Sequence, residues 1–81
     1  MSLTDFSVAV EGVKNLTNLS NENKLAFYGL YKQAVIGPCK TSAPWFDPVG
    51  QAKHAAWLKL GTMTKKQACE DYYQLFLKLK K

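Results

Sequence analysis

The chain has no arginine. All eleven of its cations are lysines, set against six carboxylates for a net charge of +5. Arginine is the preferred group for bidentate contact with guanine and for stacking on bases, so its absence weighs against nucleic acid as a partner. Lysines supply point charges, which suit a few discrete phosphates or an anionic surface. Histidine is nearly absent too, with His54 alone, and there are two cysteines, Cys39 and Cys69. That is too few for a disulfide framework or a four-ligand zinc set. Both thiols are expected to be free, and no metal is expected. No apolar run nears the roughly 18–20 residues of a membrane span. The opening Met1-Ser2-Leu3-Thr4-Asp5 has no basic segment leading into an apolar stretch. The closing Lys78-Leu79-Lys80-Lys81 matches no lipidation or organelle address. The chain is therefore expected to be cytoplasmic.

What is present is enough for one globular domain, expected to occupy residues 1–81, with 47% of the residues hydrophobic. Residues placed at 100° per position fall into four amphipathic stretches. The first is predicted from about Thr4 to Leu16, with Leu3, Phe6, Ala9, Val10, Val13 and Leu16 on one face. Gly12 is its weak point. The second is predicted from Asn21 to Val35, capped by Ser20 or Asn21 and ended by Gly37-Pro38. It has two non-polar faces. Phe27, Leu30 and Ala34 form one. Leu25, Tyr28, Tyr31 and Val35 form the other, with Lys32 among them. One core needs only one face, so the second asks for another purpose.

Residues 36–48 read as a long loop, whose Trp45-Phe46 pair is expected to pack down on the domain. The third helix is predicted from Val49 to Leu60. Its small-residue face, Val49, Ala52, Ala56 and Leu60, allows close approach of a neighbour, and Lys53 and Trp57 flank it one turn apart. The fourth is predicted from Thr64 to Leu79, with Thr64…Gln67 as a capping box. Its core face is Ala68, Cys69, Tyr72, Leu75, Phe76 and Leu79. No alternation of period two is bounded by turns, so no strand is expected and the fold class is all-α.

Catalysis is hard to assemble from these residues. No hydrolase elbow, zinc-protease helix or P-loop is present. A Cys69–His54 pair is one nucleophile–base combination the composition allows, but a core thiol and a surface imidazole account for both residues. A binding module is the expected class. Tyr28, Tyr31 and Lys32 on one helix, and Lys53 and Trp57 on another, combine cations, hydroxyls and flat rings. That combination suits a nucleotide: phosphate on ammonium, base on ring. Tyrosines at helical spacing serve equally as core, and an edge lysine equally lays its stem over apolar surface. The residues by themselves leave both readings open.

The order of motifs is more specific. Tyr28-Gly29-Leu30-Tyr31-Lys32-Gln33-Ala34-Val35-Ile36-Gly37 is followed by Pro44…Asp47-Pro48-Val49-Gly50-Gln51-Ala52-Lys53-His54-Ala55-Ala56-Trp57 and then Thr64-Lys65-Lys66-Gln67-Ala68…Tyr72. Upstream stand Phe6…Glu11-Gly12-Val13-Lys14…Leu16. Over essentially its whole length, and in order, the chain resembles the acyl-CoA-binding protein family. The resemblance implies an up-down-down-up four-helix bundle that binds long-chain fatty acyl-CoA one to one. It implies no catalysis and no cofactor. It implies that Tyr28, Lys32 and Lys53 hold the 3′-phosphate of the CoA ribose, that Tyr31 stacks near the adenine, and that Lys14 adds a contact near the adenosine. Tyr72 would reach the CoA or acyl end, and Leu25 would help form the acyl groove. The implied role is an intracellular carrier and pool former, expected to be monomeric, with transient contacts to membranes or to enzymes that use acyl-CoA.

The departures from the family pattern are Lys24, Pro38, Trp45, Gln51 and His54. They leave the phosphate set intact. Lys24, Trp45-Phe46 and His54 are expected to alter the acyl groove, so that His54→Trp tightens long chains more than short ones. A different class of reading is a basic helical module that docks on anionic membranes or on acidic proteins. Sharp one-to-one saturation separates the first reading from the graded, salt-screened binding of the second.

Overall fold

A computed structural model describes residues 3–17 and 19–80, with side chains from Asp5 onward. Four helices account for most of these residues: α1 (Leu3–Val13), α2 (Asn21–Val35), α3 (Pro48–Leu58) and α4 (Lys65–Leu79). No strand occurs among the described residues.

Local chemistry sets each boundary. α1 ends three residues earlier than its apolar pattern, because Asn15 and Leu16 donate to the carbonyls three back and tighten the chain into a turn. Ser20 caps α2 by accepting from the Asn23 amide at 3.0 Å. α2 stops as predicted, with Gly37 at φ +107°. α3 starts one residue before the expected Val49. Asp47 accepts from the Val49 amide at 3.1 Å, and Pro48 takes the first helical position, where its missing N–H costs nothing. Thr64 caps α4 through the Gln67 amide at 3.1 Å. The Gln67 side chain runs along α4, its amide nitrogen donating to Asp71 at 2.7 Å.

The core is built by α1, α2 and α4. Phe6 and Ala9 of α1, Phe27, Leu30 and Ala34 of α2, and Ala68, Cys69, Tyr72 and Phe76 of α4 are buried together. Val10, Val13, Leu16, Leu75 and Leu79 pack against them. These are the predicted faces, apart from Leu3, whose side chain lies outside the described ones. Tyr72 meets Phe6 and Phe27 edge-to-face, at 5.2 and 4.9 Å between centroids. Gly12 is also a contact site. The Phe76 ring occupies the space that a Cβ there would need.

Residue contacts fix the helix directions. Phe6 meets Tyr72, and Gly12 meets Phe76, so α1 and α4 run the same way. The start of α3 lies beside the start of α2, where Pro48 and Val49 share a hollow with Asn21 and Leu25. The end of α3 lies beside the end of α2, where the Trp57 indole donates to the Gly37 carbonyl at 2.8 Å. These two helices are therefore parallel, and the 36–47 loop carries the chain back between them. Gln33, near the end of α2, donates to the carbonyls of Gly61 and Met63 just before α4 at 3.0 and 2.7 Å. α4 therefore returns antiparallel to α2. The result is the up-down-down-up bundle. Helix contacts run α1 to α4, α4 to α2 and α2 to α3. Among the described helices α3 rests on α2 alone, and that leaves the α2–α3 seam open to solvent.

Candidate functional site

α2 has two working faces because it sits between α4 and α3. Toward α4 it buries Phe27, Leu30 and Ala34. Toward α3 it presents Tyr28 and Lys32 one turn apart, beside the buried Gly29. α3 comes close at this point. A Cβ on Gly29 would lie 2.6 Å from the Ala56 carbonyl oxygen, so only glycine allows the approach. One turn before Ala56, α3 carries Lys53. The close crossing therefore brings Lys53 to Tyr28 and Lys32 from the opposite helix.

The three side chains meet. The Lys32 ammonium stands 5.7 Å from the Tyr28 ring centroid, and the Lys53 ammonium 5.4 Å from the same ring. Lys32 is also 6.0 Å from the Trp57 ring. Each contact contributes about 0.5–1 kcal/mol where solvent reaches it. Among the described residues no carboxylate pairs with either ammonium. An ion pair forms elsewhere, between Lys14 and Glu11 at 3.3 Å at the end of α1. Two cations are thus held together without an anion, next to a phenol hydroxyl, in a place suited to phosphate.

Beside Lys53 the α2–α3 seam opens into a groove of about 410 Å³ lined by Lys24, Leu25, Pro48, Val49 and Ala52. A second hollow of about 330 Å³ shares Leu25 and Ala52 with it and adds Ala26, Ala55 and Ala56, with Glu22 and Lys59 at its polar rim. Together they form an apolar gutter that begins at a cation. Leu25 lines both hollows.

The other expected residues are distributed differently. Tyr31 opens on the opposite side of α2, onto a hollow of about 230 Å³ shared with Phe6, Ser7, Val10, Glu11 and Val35. One face of its ring stacks on Phe6 at 6.1 Å with 26° between planes, and the residue is 40% exposed. Lys14 is not brought to the Tyr28–Lys32–Lys53 cluster. It pairs with Glu11, whose side chain lines the Tyr31 hollow. Tyr72 is a core residue, only 4% exposed. Burial first, and the neighbouring Tyr31 phenol second, push its hydroxyl up to about 12. The ligand contact expected of it is confined to that hydroxyl.

Three sequence expectations need correction. Trp45 and Phe46 do not pack down on the domain: they are 85% and 74% exposed and touch one another edge-to-face at 5.6 Å. Neither ring lines the groove. His54 is not part of the groove wall either. Its Nε2 bonds the Thr41 carbonyl and lies 3.4 Å from the Cys39 sulfur, so it ties the loop to α3. It is therefore not a partner of Cys69, whose buried thiol is pushed up by desolvation and is a poor nucleophile. The small-residue face of α3 is divided. Ala56 packs on α2, while Val49 and Ala52 are exposed along the groove.

Two residues hold the site in ways the sequence pattern does not show: Gln33, to which it assigns no role, and Trp57, which it marks as a flanking ring rather than as an anchor. Gln33 is fully buried and pins the α3–α4 turn. The signal was a polar residue on the apolar stripe between Leu30 and Ala34. Trp57 is buried, with its indole bonded to the end of α2. It sets how α3 lies beside Lys32.

Known proteins share this arrangement. The family model described as acyl CoA binding protein matches residues 4–76. The acyl-CoA-binding domain-containing protein 5 of Bos taurus is 44% identical over 82 residues, covering 94% of this chain and 15% of its own length. Its Xenopus laevis counterpart is 45% identical over 75 residues, covering 85% of this chain and 16% of its own. The chain thus spans about a sixth of the length of these curated relatives. Among solved structures, acyl-CoA-binding protein 2 of Oryza sativa superposes with a TM-score of 0.91 at 37% identity, covering 95% of this chain and 88% of that one. The acyl CoA binding protein of Babesia bovis superposes with a TM-score of 0.81 at 39% identity, covering 98% and 93%. With the family model matched over residues 4–76 and the fold superposing on solved acyl-CoA-binding proteins, this chain belongs to the acyl-CoA-binding protein family.

Proposed function

We propose that this domain binds one long-chain fatty acyl-CoA ester and serves as an intracellular carrier that forms an acyl-CoA pool, without catalysing a reaction. The observation that carries the reading is the junction at Lys53. There, two lysines without carboxylate partners meet over Tyr28 at the mouth of an apolar groove. A ligand with a phosphate at one end and a hydrocarbon chain at the other matches both halves. Lys32, Lys53 and the Tyr28 hydroxyl take the 3′-phosphate. Tyr31 offers its free ring face to the adenine, with Phe6 fixing the other face. Lys14 reaches the adenosine by exchanging Glu11 for the ligand. The Tyr72 hydroxyl contributes beside Tyr31, and Leu25 forms the groove floor.

The two ends do different work. Charge-assisted contacts distinguish CoA esters from free fatty acid. The chain supplies affinity, up to ~0.8 kcal/mol per methylene withdrawn from water before ordering costs are subtracted. Calorimetric titration with octanoyl-, lauroyl-, palmitoyl- and arachidoyl-CoA tests the reading. The expected result is one site per chain, affinity that rises with chain length, and weak dependence on salt for the long esters. Graded, unsaturable binding that salt abolishes for every ester would contradict it.

A further inference from the structure

The Trp45–Phe46 tip is the largest exposed aromatic surface among the described residues, and neither the core nor the groove uses it. Its backbone is held rather than loose. The Gln51 amide donates to the Trp45 carbonyl at 3.0 Å, Asp47 caps α3 directly after Phe46, and the Pro44 ring lies against Gly50. These contacts fix the loop from behind and leave both rings outward. An indole and a phenyl ring held out in water are costly unless something covers them. Tryptophan in particular favours the boundary between lipid headgroups and acyl chains.

The charges around the tip identify the cover. Lys40 lies in the same loop, and Lys24 and Lys53 stand beside Pro48 and Val49 at the groove mouth. The nearby anions are Asp47, engaged with the Val49 amide, and Glu22 at the farther hollow. Val49, 62% exposed, extends the apolar patch toward the groove. The geometry points to an anionic lipid bilayer as the partner of this surface. Trp45 and Phe46 enter the headgroup–chain boundary, and the lysines face the lipid phosphates and carboxylates. The tip sits two residues from Pro48 on the groove rim, so docking places the groove mouth at the membrane surface.

The test uses vesicles without acyl-CoA, so its failure leaves the proposed function standing. The chain is mixed with vesicles of phosphatidylcholine alone and of phosphatidylcholine with phosphatidylserine. Co-sedimentation, indole emission and quenching by brominated lipid are read. The expected result is binding to the mixed vesicles, with a blue-shifted and quenched emission. The Trp45→Ala/Phe46→Ala variant is expected to bind about tenfold or more weakly, since it loses most of the inserted apolar area. Its helical circular dichroism and its palmitoyl-CoA affinity in vesicle-free buffer are expected to match the parent. Buried Trp57 gives no quenching, so the signal disappears with Trp45. Four results overturn the proposal. The parent does not bind mixed vesicles. The double variant binds them as well as the parent does. Soluble glycerophosphoserine displaces the protein, which assigns a headgroup pocket. Finally, the double variant loses palmitoyl-CoA affinity in vesicle-free buffer, which makes the rings a lid on the ligand.

Discussion

At the scale of single residues, position on α2 decides role. Tyr28 and Tyr31 are three apart, yet one faces the lysine cluster and the other a hollow against α1. Tyr31→Leu is expected to weaken CoA-ester binding by roughly 1–3 kcal/mol, the size of a lost base stack. The loss should be equal for octanoyl- and palmitoyl-CoA in calorimetry if, as proposed, the ring meets the CoA head. A loss that grows with chain length would place Tyr31 in the groove. His54 shows why a helical wheel reaches only so far. Angle on α3 shows that it leaves the small-residue face but not that the returning loop waits there with the Thr41 carbonyl. Given that contact, His54→Trp is now expected to leave the ratio of octanoyl to palmitoyl affinity unchanged. A selective gain for palmitoyl-CoA in the same titrations would return His54 to the groove.

At the scale of elements, the four helices were legible because apolar stripes, caps and glycine–proline stops agree at nearly every boundary. The pairing of α2 with α3 was only half legible. The small side chains announced a close approach, but sequence does not show which two turns cross, since that depends on Gly29 meeting the Ala56 carbonyl. A methyl group at Gly29 would meet backbone, which cannot rotate away. Gly29→Ala is therefore expected to destabilise the fold by about 1–3 kcal/mol in urea titration, the usual range for overpacking. It should also weaken palmitoyl-CoA binding by moving Lys53 away from Lys32. Unchanged stability would mean that the helices separate freely. The exposed Trp45–Phe46 tip was misread for a related reason. Aromatic mass in a loop predicts burial only when the loop passes over apolar surface, and this one is held from behind by Gln51 and Asp47.

At the scale of the whole molecule, an open order of helices makes a binding protein from a small core. α1, α2 and α4 supply the packing, while α3, which among the described helices packs on α2 alone, supplies a seam. Tyr72 lies at the centre of the packed part, which gives stability a pH signature. Its folded pKa of about 12 stands above the ordinary 10, so the folded state keeps its proton longer than the unfolded chain does. That contribution is complete below pH 10 and is lost as pH rises toward 12. Its slope is at most about 1.4 kcal/mol per pH unit. Melting curves across that window should show Tyr72→Phe losing less stability than the parent, and equal losses would contradict the burial argument. The central claim is that Lys32 and Lys53 together hold one phosphate of the CoA head. It is tested most directly by measuring palmitoyl-CoA and its 3′-dephospho analogue against the parent, Lys32→Ala and Lys53→Ala. The account predicts that either substitution, or loss of the phosphate, weakens binding by about 1.5–3 kcal/mol, and that combining substitution with phosphate loss adds little more. Full additivity of the two losses, or normal palmitoyl-CoA binding by both variants, would contradict it.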